Sequence, residues 1–317
     1  MNPEDFWQEI LPAGAVPVGG YPVRFDDGRL LLLPLRRLPQ GGGVLASLII
    51  NQASFALVQA LSADLAAKLN PFAPDVVVGL PTLGLTLAAA VAQALGHSRF
   101  VPLGNSAKFW YRDDLSVPLS SVTTPEQSKR LYVDPRMLPL LSGRRIALID
   151  DVISSGTSMV AAIDLLRRCD VEPAVLGTAM LQSDRWQQPL AGWPVVSALR
   201  SPLLDVMAYK VLTATEFASL QRGEFKGAAV DLTDGFIHLS TASQLTETVE
   251  RHFRGQRDLV VAAVDVVALG AALRWEPSRH GQLFPHLYAP LRLADIAAHG
   301  PLEHHAGGVQ LPLVRKE

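Results

Sequence analysis

The chain has 317 residues, with 28 Lys and Arg against 30 Asp and Glu, 49% hydrophobic residues and 18% charged. It is long enough for one large or two ordinary domains and too apolar for a disordered chain. A net charge of −2 argues against a nucleic-acid partner or an anionic membrane surface. The single cysteine, Cys169, excludes an intramolecular disulfide and a Cys-rich zinc site, and it suits a reducing, cytoplasmic compartment. The acidic opening Met1-Asn2-Pro3-Glu4-Asp5 lacks the basic-then-apolar pattern of a signal peptide.

Tyr21–Phe25 and Arg29–Leu35 read as strands around the turn Asp26-Asp27-Gly28, within a cap covering residues 1–50. Residues 54–69 predict a helix stopped by Asn70-Pro71. Val76 to Ser98 carries no formal charge and is long enough to cross a bilayer. It nevertheless divides into a β-branched run to Leu80, the turn Pro81-Thr82-Leu83-Gly84, and a helix from Leu85 to Leu95 ended by Gly96, so no membrane span is expected. Strands at 99–103, 145–150 and 174–180 and a helix at 157–168 continue the alternation. Strands separated by helices predict an α/β domain, a parallel sheet with helices on both faces. The polar stretch from Gly104 to Pro139 interrupts it and reads as an active-site flap with a short strand near Arg130–Val133.

The densest motif is Arg145-Ile-Ala-Leu-Ile-Asp150-Asp151-Val-Ile-Ser154-Ser155-Gly156-Thr157-Ser158. A buried strand brings two carboxylates to the edge where parallel sheets bind ligands. The hydroxyl residues and glycine that follow lead into a helix whose free N–H groups and positive dipole end attract an anion. Carboxylates beside phosphate donors suit a ligand with sugar hydroxyls and a phosphate, together with Mg²⁺. The lysine of a nucleoside-triphosphate P-loop is absent.

Ile146 to Ser158 resembles the phosphoribosyl-diphosphate (PRPP) signature of type I phosphoribosyltransferases, and the resemblance extends over about residues 40–185. Val76 to Gly84 resembles the strand and loop that hold pyrophosphate in that family. Phe100 to Lys108 resembles the start of its flexible loop, most closely in adenine phosphoribosyltransferases, although Gly104-Asn105 stands where those enzymes usually carry Arg-Lys. The resemblance implies that Asp150 and Asp151 hold the ribose hydroxyls and the Mg²⁺ shell, largely through substrate and water. It implies that Ser154, Ser155, Gly156, Thr157 and Ser158 hold the 5′-phosphate, and that Thr82, Leu83, Gly84, Lys108 and Arg112 meet the diphosphate. Catalysis would then rest on Asp150, Asp151 and Lys108, the acceptor base would sit against the N-terminal cap, and the protein would be a homodimer completed across the flap.

Beyond the Pro- and Trp-marked linker at about 186–202, seven of the eight histidines fall in residues 203–317. This shift predicts a domain boundary near 202, with a small α+β domain after it. In Asp234-Gly-Phe-Ile-His238-Leu-Ser240-Thr241, alternation puts Phe236, His238 and Ser240 on one face. Thr241 and Gln244 have capping-box spacing for a helix carrying Leu245, Val249 and Phe253. Downstream, Arg274, Glu276, Arg279, His280, His286 and Tyr288 crowd into fifteen residues, whereas His304-His305 read as solvated loop. Ala208 to about Leu311 looks like a family of small bacterial domains of unassigned function marked by Gly-Phe-Ile-His-Leu-Ser and Leu-Phe-Pro-His-Leu-Tyr, distantly similar to the ADP-ribosyltransferase fold. That likeness implies a nucleotide or NAD-like ligand gripped by His238 and Ser240, with Arg274, Glu276, Arg279, His286 and Tyr288 around it.

The expectation is therefore a PRPP-dependent phosphoribosyltransferase, a glycosyltransferase acting on a purine or related base, fused to a nucleotide- or ribose-binding domain. Two alternatives stand beside it. One is a regulator that binds PRPP or a nucleotide without turnover; the other is an NAD-consuming transferase in the C-terminal domain.

Overall fold

The computed structural model describes residues 6–39, 42–119, 129–305 and 308–313. The chain divides into two compact units, one of Met1–Gly14, Val23–Leu31 and Leu48–Pro202, the other of Ala15–Pro22, Leu32–Ser47 and Leu203–Glu317. Strands β1 (Tyr21–Arg24) and β2 (Leu30–Leu33) pair across the Asp26-Asp27-Gly28 turn. The sequence suggests one cap from 1 to 50 on the first domain, and here the structure differs. Strands β3 (Leu35–Arg37) and β4 (Val44–Ala46) pair with each other, β4 also pairs with Leu203–Leu204, and Arg37 forms an ion pair with Asp265. Backbone ladders of this kind bind a segment more firmly than chain proximity does.

In the first unit, Ser54 caps helix α1 (Phe55–Leu69) by accepting the Leu57 N–H at 3.2 Å. Then come β5 (Val76–Gly79), α2 (Gly84–Ala94), β6 (Val101–Pro102), β7 (Ser116–Leu119), β8 (Lys129–Tyr132), α3 (Leu138–Leu141), β9 (Ile146–Ile153), α4 (Thr157–Arg167), β10 (Pro173–Gln182) and β11 (Val195–Ser201). Five strands form a parallel sheet in the order β11-β10-β9-β5-β6. Strand β9 is central, and Ile146, Leu148 and Ile149 are all fully buried, each contributing about 1.5–3 kcal/mol of apolar burial. A Cβ at Gly177 would meet Ile149, Leu65 and Leu69, and one at Gly79 would meet Ala88, so α1 and α2 cover one face. Met159, Ala162, Ile163 and Leu166 of α4 pack with Val78, Leu148, Leu176 and Leu131 on the other. Helices thus lie on both faces, as a parallel sheet requires.

The flap region contains an antiparallel hairpin of β7 and β8 in the register Ser116↔Tyr132 to Leu119↔Lys129. Only the second of these strands is legible in the sequence, because Ser116-Val-Pro-Leu119 contains a proline. The middle of the flap, residues 120–128, lies outside the described residues.

The second unit is built on antiparallel sheets. After β12 (Leu203–Leu204), β13 (Met207–Thr213) leads to α5 (Ala214–Gln221), α6 (Ala229–Asp234), β14 (Ile237–His238) and α7 (Ala242–His252). Then β15 (Leu259–Asp265), β16 (Leu273–Pro277), β17 (Leu283–Leu287) and β18 (Ile296–Pro301) complete the sheets β13-β15-β18 and β14-β17-β16. Leu245 and Val249 of α7 bury against Tyr209, Val211, Val261 and Ala263, with Phe253 beside them. His304–His305 form a short strand, β19, paired with Gly308–Val309, instead of a loop.

Candidate active site

Strand β9 runs three residues further than its apolar core predicts. Val152 and Ile153 are β-branched and pair with Met180 and Leu181, so Asp150 and Asp151 lie inside the strand, opposite Thr178, and not at its end. Asp150 is buried, and its Oδ1 accepts the Asp151 N–H at 2.9 Å. Burial first, and then the neighbouring charge of Asp151, push the Asp150 carboxyl well above the usual carboxylate range; burial also raises Asp151. Neither carboxylate has a basic partner among the described residues. Ser154 and Ser155 follow, and Gly156 takes a left-handed φ of +81° immediately before α4, where its Cβ would lie 3.2 Å from Leu190. Ser155 Oγ and Thr157 Oγ1 are 2.9 Å apart beside the first N–H groups of α4. The arrangement joins two desolvated acids to a hydroxyl-rich helix start.

One cation at this loop was not expected from the sequence. Arg185 Nη2 donates to Ser154 Oγ at 3.3 Å, carried there by Ser183, which has a left-handed φ of +61° and donates to Ser154 O. Strand β10 ends at Gln182, so the rule that ligands gather past the C-terminal ends of parallel strands would have pointed to 183–185.

The turn predicted at 81–84 lies beside the acids. A Cβ on Gly84 would fall 2.7 Å from Asp150 Oδ1 and 3.0 Å from its Cα, so only glycine lets α2 start against β9. Gly84→Ala is expected to lower stability by about 1–3 kcal/mol; an unchanged urea midpoint would contradict this close approach. Asn105 Nδ2 donates to Thr82 Oγ1 at 3.2 Å, tying the flap root to this turn. Gly104 exchanges backbone hydrogen bonds with Tyr132 at 2.9 Å and faces the Tyr111 ring. Lys108 is exposed, with no side-chain partner among the described residues. Phe109 beside it is 96% exposed. Arg112, by contrast, is held by Asp114.

In the second unit, Asp231 is 3% exposed. It accepts from Lys210 Nζ at 2.6 Å, the Ala228 N–H at 2.8 Å, the His238 N–H at 3.0 Å and His238 Nδ1 at 2.8 Å. Burial alone would raise this carboxyl, but bonds from His238 and Lys210 outweigh it and hold Asp231 at about 2. His238 Nε2 lies 3.2 Å from Asp234. His286, opposite His238 in the ladder, puts Nδ1 2.8 Å from Glu276, which Tyr288 also donates to at 3.1 Å. Phe236 stacks on His286 at 4.2 Å, and the two imidazoles meet edge to face at 5.3 Å.

His238, Ser240, Arg279 and His286 line a cavity of about 1000 Å³. Glu276 and Tyr288 support His286, and the Arg274 guanidinium lies 3.7 Å above the Tyr288 ring. The capping box at α7 forms in part: Gln244 accepts the Thr241 N–H at 3.1 Å, while Thr241 Oγ1 pairs with Ser243. Sequence reasoning missed Lys210 and Asp231. A lone lysine inside the apolar run Met207–Thr213 was the available signal, since lysine is rarely buried without a partner.

Residues 46–198 match the family model described as phosphoribosyl transferase domain, and residues 211–299 match that of a protein of unknown function (DUF952). The chain thus joins a phosphoribosyltransferase-type domain to a domain of that second family. A xanthine phosphoribosyltransferase of Chloroflexus aurantiacus is 26% identical over 150 residues, 44% of this chain and 66% of that protein. Protein CC0527 of Caulobacter crescentus, whose crystal structure is known, is 45% identical over 32% of this chain and 91% of that one, with a TM-score of 0.31. An adenine phosphoribosyltransferase structure from Thermoanaerobacter pseudethanolicus is 16% identical over 53% of this chain and 95% of that one, with a TM-score of 0.44. The chain spans between 46% and 73% of the length of these curated relatives, which also include bifunctional PyrR proteins and probable purine biosynthesis transcriptional regulators PurR. Among the described residues no helix is long and apolar enough to cross a membrane.

Proposed function

We propose that the first unit transfers the phosphoribosyl group of PRPP to a purine or related base and releases pyrophosphate. The observation that carries this reading is the pair Asp150-Asp151 beside the hydroxyl-rich start of α4, at the ligand-binding edge of a parallel sheet. In the proposed reaction a base nitrogen forms a bond to the anomeric carbon as its bond to the pyrophosphate oxygen breaks, and the base loses a proton. Positive charge develops on the ribose ring, so the protein must hold an anionic leaving group and exclude water. Residues 154–158, joined by Arg185, would seat the 5′-phosphate. Asp150 and Asp151 would accept from the ribose hydroxyls and lie close to the developing ring charge. Thr82, Leu83 and Gly84 would take the diphosphate, with Lys108 brought in by the flap.

The acids fit Mg²⁺: two desolvated carboxylates without a basic partner among the described residues are oxygen ligands for a hard cation. No group of three or more His, Cys, Asp or Glu among the described residues could hold a metal, so substrate oxygens and water would complete the shell. When bound, Mg²⁺ would offset charge on the diphosphate. A lone cysteine and a doubly phosphorylated substrate fit a cytoplasmic setting, and the proposed assembly is a homodimer.

A second reading, a regulator that binds PRPP without turnover, is favoured by the flap. Arg112 is occupied by Asp114 and position 105 is the neutral Asn105, which leaves Lys108, among the described residues of the flap root, to meet the diphosphate. Incubation with PRPP, Mg²⁺ and each of xanthine, guanine, hypoxanthine, adenine and uracil separates the two. A nucleoside 5′-monophosphate formed from one purine, detected by chromatography, supports the transferase. No monophosphate from any base, with PRPP still bound, supports the regulator. The second unit is read as a nucleotide- or ribose-binding domain.

A further inference from the structure

The cavity of the second unit has a wall of connected donors. Ser240 Oγ lies 3.0 Å from Thr248 Oγ1, and Thr248 Oγ1 accepts from Arg279 Nη2 at 2.6 Å. Arg279 lies over the Phe284 ring at 4.7 Å, and its Nη1 is buried without a hydrogen-bond partner among the described residues, with Glu247 3.8 Å away. A buried guanidinium nitrogen left unbonded is an unmet donor. Beside this chain stand His238 and His286. Asp231, fixed by four donors, takes His238 Nδ1, and its Nε2 meets Asp234. His286 gives Nδ1 to Glu276, which leaves Nε2 as its one uncommitted nitrogen. Lys210, Arg251 and His252 also line the space with Glu216 and Asp234; Lys210 is paired with Asp231 and Arg251 with Glu247, which leaves Arg279 as the lining guanidinium with an unmet donor. Ser278 closes one side, and His280, two residues further on, has a left-handed φ of +53°.

We propose that this cavity binds a phosphate-bearing ligand, whose phosphate is held by Arg279 and Ser240 and faced by His286, while Thr248, whose hydroxyl donates to Gln244 O and accepts from Arg279, positions the guanidinium. The proposal rests on the reading of the second unit as a ligand-binding domain and is independent of the transferase reading of the first. Guanidinium forks match phosphate oxygens with two parallel hydrogen bonds, and the Ser240 hydroxyl, two residues beyond His238, completes the cradle. Burial lowers the His286 pKa below the usual histidine value, partly offset by Glu276. Its other facing charges are His238 and Asp234. A bound dianion would favour the protonated ring and raise that value.

Seven of the eight histidines belong to residues 203–317, so imidazole signals of the full-length protein, labelled on histidine and assigned with His238→Gln and His286→Gln, report on this unit. The titrants are inorganic phosphate, the neutral nucleoside adenosine, and chloride at matched ionic strength. Phosphate is expected to shift the His238 and His286 signals saturably and to raise the His286 pKa, with chloride inert. Arg279→Gln and Thr248→Val should each weaken phosphate binding, Arg279→Gln by about tenfold or more, the size of one charge-assisted hydrogen bond. Shifts with adenosine but none with phosphate overturn the phosphate proposal and keep the ligand-binding reading. Silence with both overturns both. Equal phosphate affinity in a folded Arg279→Gln protein also overturns the proposal.

Discussion

Asp150→Asn is expected to make the free protein more stable while removing its function. Asp150 is buried, its carboxyl is pushed up by burial and by Asp151, and no cation offsets it among the described residues. An acid whose folded pKa lies above its unfolded one costs stability at neutral pH and ceases to do so as the pH falls through the folded value towards the unfolded one. Asparagine keeps the size and removes the charge. The melting temperature without ligand should therefore rise, about 2–4 °C for each kcal/mol relieved, and the variant should be less dependent on pH above 4. PRPP-dependent pyrophosphate release should fall about 10²- to 10³-fold, the usual cost of losing one transition-state contact. A variant that is less stable and fully active would contradict both halves. Opposed effects of this kind mark groups kept for chemistry at the expense of folding.

Asp231→Asn is expected to have the opposite character. The Asp231 carboxylate compensates buried Lys210 and receives three further donors, so removing its charge leaves an ammonium in the interior without its partner. Breaking such a pair costs about 3–5 kcal/mol, enough to unfold the second unit or lower its transition by several degrees. Its folded pKa of about 2 lies below the ordinary value near 4. This stabilisation is thus complete above about pH 4 and is lost as the pH falls through about 2. Thermal unfolding of wild type and variant between pH 3 and pH 7 checks it: the gap should be full at pH 7 and narrow as the acid limit is approached. A gap below about 1 kcal/mol at pH 7 would place Asp231 among ordinary surface acids.

The two acids differ in how visible they are in the sequence. Asp150 and Asp151 follow an apolar β-branched run and precede Ser-Ser-Gly-Thr-Ser, so strand, acids, hydroxyl loop and helix can be read in order, and the parallel sheet follows from the alternation around them. Gly84 belongs to a legible turn, but its closeness to Asp150 arises from the sheet bringing β5 beside β9. Arg185 is silent in the sequence, since its approach to Ser154 depends on the length of β10 and on the left-handed Ser183. In the second unit the histidines announce themselves by type, whereas their partners do not. Asp231 reaches His238 because α6 ends in Gly235, with a left-handed φ of +80°, and the chain turns back. Glu276 reaches His286 through the β16–β17 register Arg274↔His286, which places Glu276 opposite Phe284. Likewise, the allocation of β3 and β4 to the second unit rests on cross-strand pairing with Leu203–Leu204, which no local pattern specifies.

Calorimetric titration of PRPP into the full-length protein, with and without Mg²⁺, tests most directly that Asp150, Asp151 and residues 154–158 form a PRPP site. The account predicts saturable one-to-one binding, weakened by EDTA and reduced at least tenfold when Asp150 and Asp151 are both changed to Asn, a loss of about 1.4 kcal/mol or more. No binding of PRPP by the wild-type protein, or equal affinity in the folded double variant, would contradict it.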